Sequence, residues 1–112
     1  MKLPNAENAV VEREKITDYL LNPAHRYGAS KARFFGAFGF CADEWWRLAE
    51  ALLELALDND VAKVQETGFG PRYEVEGTLS VPDGRRPRVR TVWQLDHGAV
   101  APRLITAYPT GE

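Results

Sequence analysis

The sequence predicts an α+β fold in which three N-terminal helices pack on one face of an antiparallel sheet of three to five strands. Three observations predict it. Apolar residues recur at three- and four-residue spacing as far as Asn59, and the spacing changes to alternation beyond Asp60. Pro82-Asp83-Gly84 and Asp96-His97-Gly98 punctuate the alternating half as turns. A length of 112 residues, 45% hydrophobic and 27% charged, suffices for one buried core and leaves no room for a second, so residues 1–112 are read as one domain.

From Glu12 to Leu21, the residues Ile16, Tyr19 and Leu20 form an apolar stripe on a helix that Asn22-Pro23 ends, because the residue before a proline is pushed out of the helical region. Ser30 reads as the N-cap of a second helix, Lys31 to Phe38, which buries Phe34, Phe35 and Phe38 and stops at Gly39. Asp43 and Glu44 suit the positive end of a third helix, which Trp45, Leu48, Ala49, Leu52 and Ala56 carry on to Asn59. Tyr73, Val75, Gly77, Leu79 and Val81 then alternate with Glu74, Glu76, Thr78 and Ser80, and Arg88 to Leu95 is the hairpin partner. Arg103 to Tyr108 makes a last strand and Ala62 to Thr67 a first. Val89, Thr91, Trp93 and Leu95 share one strand face, and Arg88, Arg90, Val92 and Gln94 the other. Both sets contain apolar members, so the sequence leaves open which one meets the helices.

The formal charge of −2 argues against nonspecific coating of nucleic acid, which relies on neutralising many phosphates. Residues 1–60 carry seven Lys/Arg against ten Asp/Glu, and residues 61–112 carry seven against six. Arg85, Arg86, Arg88, Arg90 and Arg103 are therefore either a local basic surface adequate for a few phosphates or a solvated hairpin arm. The longest apolar run falls far short of the roughly 18 residues of a membrane span, and nothing after Met1-Lys2-Leu3 resembles a signal peptide. Cytoplasmic residence with no membrane partner is the expectation. Cys41 is alone, forms no internal disulfide, and is expected to pack as a small hydrophobe beside Phe40. No metal-ligand spacing, Gly-rich phosphate loop or nucleophile elbow occurs, so no metal and no cofactor are expected.

The residues left to carry chemistry form a loose constellation. The stretch from Asn22 to Lys31 joins a loop bearing His25 to a helix start bearing Lys31, two side chains suited to proton transfer and phosphate binding at neutral pH. Thr91-Val92-Trp93 and Thr106-Ala107-Tyr108-Pro109 put hydroxyls and aromatics on neighbouring strands, with Thr106 and Tyr108 on one face. Each has a plain alternative: a loop histidine is more often a hydrogen-bonding surface residue, and threonines are ordinary strand formers. His97 reads as a turn residue.

Several ordered strings carry a resemblance: Leu3-Pro4-Asn5-Ala6-Glu7-Asn8-Ala9-Val10, His25 to Phe35, Tyr73-Glu74-Val75-Glu76-Gly77, Val89-Arg90-Thr91-Val92-Trp93 and Pro102-Arg103-Leu104-Ile105-Thr106-Ala107-Tyr108-Pro109. Together they are similar, over nearly the whole chain, to the bacterial domain of unknown function family numbered 6883. Members resemble stand-alone proteins or C-terminal modules of larger phage-head and secreted toxin-like proteins, which implies a toxin-like role. Their order of helices then sheet also resembles the barnase, EndoU, colicin and RelE ribonuclease superfamily, a likeness of layout only. That second likeness implies a metal-independent endoribonuclease. His25 would be its acid or base and Lys31 its phosphate ligand. Thr91, Thr106 and Tyr108 would orient the phosphate or nucleobase, and Arg90 and Arg103 would bind RNA and stabilise charge. The implied partners are an RNA substrate and a small cognate antitoxin or immunity protein. The competing class is a noncatalytic protein-interaction module of a phage-head or secretion-associated assembly, which needs no His25.

Overall fold

The computed structural model describes residues 1–110. Three helices precede a four-stranded antiparallel sheet in the order β1-β2-β3-β4, an α+β arrangement. Helix α1 (Arg13–Lys15) opens without interruption into a π turn over Ile16–Leu20, in which the Leu21 N–H reaches back to the Ile16 carbonyl at 2.8 Å. Ile16 and Leu20 are fully buried and anchor this segment, while Tyr19 is left half-buried on its outer side. Such widened turns accommodate one extra residue and concentrate at functional sites.

Helix α2 (Ala29–Ala37) begins two residues earlier than the capping pattern predicts. Its N-cap is Gly28, and Ser30 lies within the first turn without capping it. The physical reason is the preceding loop, whose carbonyls at His25 and Gly28 already accept the N–H groups of Ala29 and Ala32 at 3.0 and 2.8 Å. Of the three phenylalanines expected in the core only Phe35 is fully buried; Phe34 and Phe38 are half-buried and meet edge-on at 5.1 Å. Helix α3 (Trp45–Asp58) follows a short 3-10 turn and buries Leu48, Leu52 and Leu55. Trp45 packs against the core, whereas Trp46 faces solvent. Cys41 is exposed rather than packed, because Phe40 takes the core position beside it.

The strands are β1 (Val61–Thr67), β2 (Gly70–Thr78), β3 (Arg88–Gln94) and β4 (Arg103–Pro109). Tyr73 pairs with Trp93 and Val75 with Thr91; across the next ladder Thr91 pairs with Ala107, Arg90 with Tyr108 and Val92 with Thr106. Ile105 is a bulge, left without a partner before Trp93 meets Leu104. These registers decide the question of faces. Tyr73, Val75, Val89, Trp93, Leu104 and Ala107 join Leu48, Leu52 and Leu55 in one core, and Thr91 lies among them. Glu74, Glu76, Arg90 and Tyr108 line the opposite, half-exposed face. Among the described residues no helix is long and apolar enough to cross a membrane, and no cluster of His, Cys, Asp or Glu could hold a metal ion.

Candidate functional site

Tyr19 is the point on which residues from its own helix, from the loop and first turn of α2, and from β4 converge. Lys15 precedes it by four residues, so both emerge on one side of the helix, and its Nζ stands 5.3 Å from the Tyr19 ring centroid. Lys31, from the first turn of α2, brings a second ammonium to 5.6 Å of the same centroid. The His25 ring meets Tyr19 edge-on at 4.9 Å. The Tyr19 hydroxyl lies 2.9 Å from Thr106 Oγ1, which ties the helical segment to β4. Cations near an aromatic face are attracted by its quadrupole, so the ring gathers two positive charges beside a hydroxyl pair.

The loop that delivers His25 is rigidly bonded. Asn22 Oδ1 accepts the Ala24 N–H at 2.9 Å, and the Asn22 carbonyl accepts the His25 N–H at 3.1 Å. His25 Nδ1 in turn accepts the N–H groups of Tyr27 and Gly28 at 2.9 and 3.0 Å. Two donors aimed at Nδ1 require a lone pair there, so the neutral ring carries its proton on Nε2. Gly28 is required by close approach: a Cβ at this position would overlap the Tyr19 carbonyl oxygen and come within 2.9 Å of Tyr19 Cδ1. Lys31 Nζ donates to the Tyr27 carbonyl at 3.2 Å, fixing the ammonium over the loop. Lys15, Tyr19, His25, Tyr27, Ile105 and Thr106 enclose an open cleft of about 450 Å³.

The residues singled out from the sequence fall into three groups. His25, Lys31 and Thr106 meet around Tyr19. Tyr108 is two residues beyond Thr106 on the same strand face, roughly 7 Å along β4, and pairs across the ladder with Arg90. Arg90 is held by Glu76, with Nε at 2.6 Å and Nη2 also in contact, and by Glu74 at 3.4 Å. The Glu76 carboxylate, with the Tyr108 phenol beside it, pushes the Arg90 guanidinium pKa up. Arg103 pairs with Asp96 at 3.0 Å at the far end of β4. Thr91 lies on the other face of the sheet, fully buried; its hydroxyl donates to the Val75 carbonyl at 2.9 Å and accepts the Trp93 indole N–H at 2.8 Å. Both of its bonds are internal to the core.

Lys15, Tyr19 and Tyr27 also line this cleft and are not among the residues that stand out in the sequence. Tyr19 falls on the apolar stripe of its helix, and in the sequence only its i,i+4 spacing from Lys15 hints at another use. A second cleft of about 450 Å³, lined by Phe40, Arg47, Glu50, Glu54 and Pro82 among others, contains none of the residues singled out above.

A family model described as a domain of unknown function (DUF6883) matches residues 2–111. The chain belongs to that family. The strings that carry the sequence resemblance are therefore those of a DUF6883 member. Among solved structures, this DUF6883 fold is similar to a chain of the contact-dependent growth inhibition toxin and immunity protein complex from Klebsiella pneumoniae 342. The TM-score is 0.75 at 20% identity, over 96% of this chain and 98% of that one, which establishes a common fold. No curated protein matches the chain.

Proposed function

We propose that this DUF6883 domain is a toxin-like, metal-independent endoribonuclease that acts in the cytoplasm and is neutralised by a small cognate immunity protein. The observation that carries this reading is the convergence of His25, Lys15 and Lys31 on the ring of Tyr19, whose hydroxyl meets Thr106 at the wall of one cleft. The reaction is attack of a ribose 2′-oxygen on the adjacent phosphorus. The 2′-oxygen loses its proton as the new P–O bond forms, and the P–O5′ bond breaks as the departing 5′-oxygen gains one, leaving a 2′,3′-cyclic phosphate and a 5′-hydroxyl. Lys15 and Lys31 supply positive charge to the pentacoordinate phosphorus, with help from amides at the start of α2. Thr106 and Tyr108 orient the phosphate along β4, and Arg90 and Arg103 extend the charged surface beyond the cleft.

His25 acts through Nε2, the nitrogen its loop leaves free. With Nδ1 held as an acceptor the ring donates a hydrogen bond to a phosphate oxygen. To serve as general acid or base it must release the two bonds from Tyr27 and Gly28. Proton transfer is thereby coupled to opening of the loop. Thr91 supports the sheet from beneath and touches no substrate.

The solved neighbour belongs to a complex of a growth inhibition toxin with its immunity protein, which supports a toxin-like setting and a cognate protein partner here. Expression in a bacterium should arrest growth, and the purified domain should cleave RNA in the presence of a chelator to give cyclic phosphate ends. A harmless domain that leaves RNA intact would sink the reading. One observation favours a noncatalytic interaction module instead: His25 Nδ1 and Arg90 both have ordinary structural partners. On that account expression is harmless, while a protein partner still co-purifies.

A further inference from the structure

Tyr27 is an aromatic side chain held out in solvent at the mouth of the cleft, with 66% of its surface exposed. Isolated exposed aromatics are common, so exposure alone decides nothing. What distinguishes Tyr27 is that its backbone is fixed at both ends while its side chain stays largely exposed: the N–H is bonded to His25 Nδ1 and the carbonyl to Lys31 Nζ. Phe69, exposed to a similar degree, lines neither of the two clefts described above. The ring of Tyr27 also has one charged and one aromatic neighbour. The Arg26 guanidinium stands 5.3 Å from its centroid, and the His25 ring 6.2 Å away at a tilt of 55°.

Resting on the ribonuclease reading of the same cleft, we propose that Tyr27 is the stacking platform for an unstacked nucleobase, so that the substrate is single-stranded RNA. A nucleobase presents a flat π face that stacks on tyrosine whatever its identity, and its phosphate lies within one nucleotide of that face. Lys31 is bonded to the carbonyl of Tyr27 itself, so a phosphate on Lys31 and a base on Tyr27 belong to the same or adjacent nucleotides. A base within a duplex is stacked on both sides and cannot reach the ring without first being extruded. Because stacking reads no base edge, Tyr27 selects strandedness and leaves sequence to other contacts.

The test is binding of a short single-stranded RNA carrying 2′-O-methyl groups, which lacks the nucleophile and cannot be cleaved, measured by fluorescence anisotropy against the duplex of the same sequence. The expected result is preference for the single strand. Tyr27→Ala should weaken that binding by about tenfold or more, while Tyr27→Phe and Tyr27→Trp retain it, since one stacked base contributes on this order. Equal binding of single strand and duplex overturns the inference, and so does a Tyr27→Ala variant that binds like the wild type. Binding that depends on Tyr27 without any cleavage of unmodified RNA would sink the ribonuclease reading alone. Cleavage of RNA whose binding ignores Tyr27 would sink the stacking inference alone, and a wild type that binds neither probe overturns it too.

Discussion

The hydroxyls of Tyr19 and Thr106, 87 residues apart in the chain, lie 2.9 Å from one another and join the helical half to the edge strand β4. A single bond of this type links the π turn over Ile16–Leu20 to the strand that carries the bulge at Ile105. It also sets the distance between the ring of Tyr19, with the Lys15 and Lys31 ammonium groups beside it, and the sheet. Removing it by Tyr19→Phe should cost about 0.5–1.5 kcal/mol in urea unfolding. A double-mutant cycle with Thr106→Val should recover a coupling energy of similar size; strictly additive losses would mean that the two hydroxyls do not interact.

Thr91 offers the complementary case of a candidate residue with an internal role. Thr91→Val keeps the shape of the side chain but leaves the buried Trp93 indole N–H without an acceptor, which should cost about 1–3 kcal/mol. Thr91→Ser keeps the hydroxyl and should lose much less. RNA cleavage per folded molecule should be unchanged in both. A Thr91→Val protein as stable as the wild type but inactive would place this hydroxyl in the reaction after all.

The turn between β2 and β3 makes a pH-dependent contribution. Hydrogen bonds from the Arg85 side chain, with Nε at 2.8 Å and Nη2 at 2.6 Å, act with the Arg85 backbone N–H to hold the Asp83 carboxyl below its ordinary 3.8. A carboxyl whose pKa is lower folded than unfolded adds stability that is complete above the unfolded value and disappears as pH falls through the folded one. Asp83→Asn should therefore differ most from the wild type in thermal midpoint near neutral pH. The gap should narrow as pH falls through 3.8 and below. A gap independent of pH would show that the charge on Asp83 contributes nothing.

Most of the architecture was legible because it follows from periodicity. The alternation from Tyr73 runs into β2, which ends at Thr78 short of Val81, and the helical spacing from Trp45 to Ala56 falls within α3. The choice of sheet face was not legible, since Val92 and Gln94 are buried as well as Val89 and Thr91 and disguise the open side. The start of α2 at Gly28 rather than Ser30 was not legible, because His25 and Gly28 supply carbonyls that no pattern of single residues reveals. Around Tyr19, the residues His25, Lys31 and Thr106 are conspicuous in the sequence by chemical type. Tyr19 did not, because a tyrosine on an apolar stripe reads as core, and the π turn that turns its hydroxyl toward β4 depends on tertiary contacts.

His25 has two separable jobs, and asparagine separates them. The Asn side-chain oxygen can stand where Nδ1 stands and accept the N–H groups of Tyr27 and Gly28, but it provides nothing in place of Nε2. His25→Asn should therefore stay within about 1 kcal/mol of the wild-type stability while RNA cleavage falls by on the order of 10², the usual size of a lost acid or base. His25→Ala should show the same loss of cleavage together with a further destabilisation of about 0.5–2 kcal/mol, because two loop N–H groups lose their acceptor. Unfolding curves and single-turnover cleavage on the same preparations give both readings. If His25→Asn cleaves RNA as fast as the wild type, Nε2 has no part in the reaction and His25 is a turn residue. If it is as unstable as His25→Ala, the two bonds to Nδ1 do not hold the loop in the way the distances indicate, and the tautomer assigned from them falls with it.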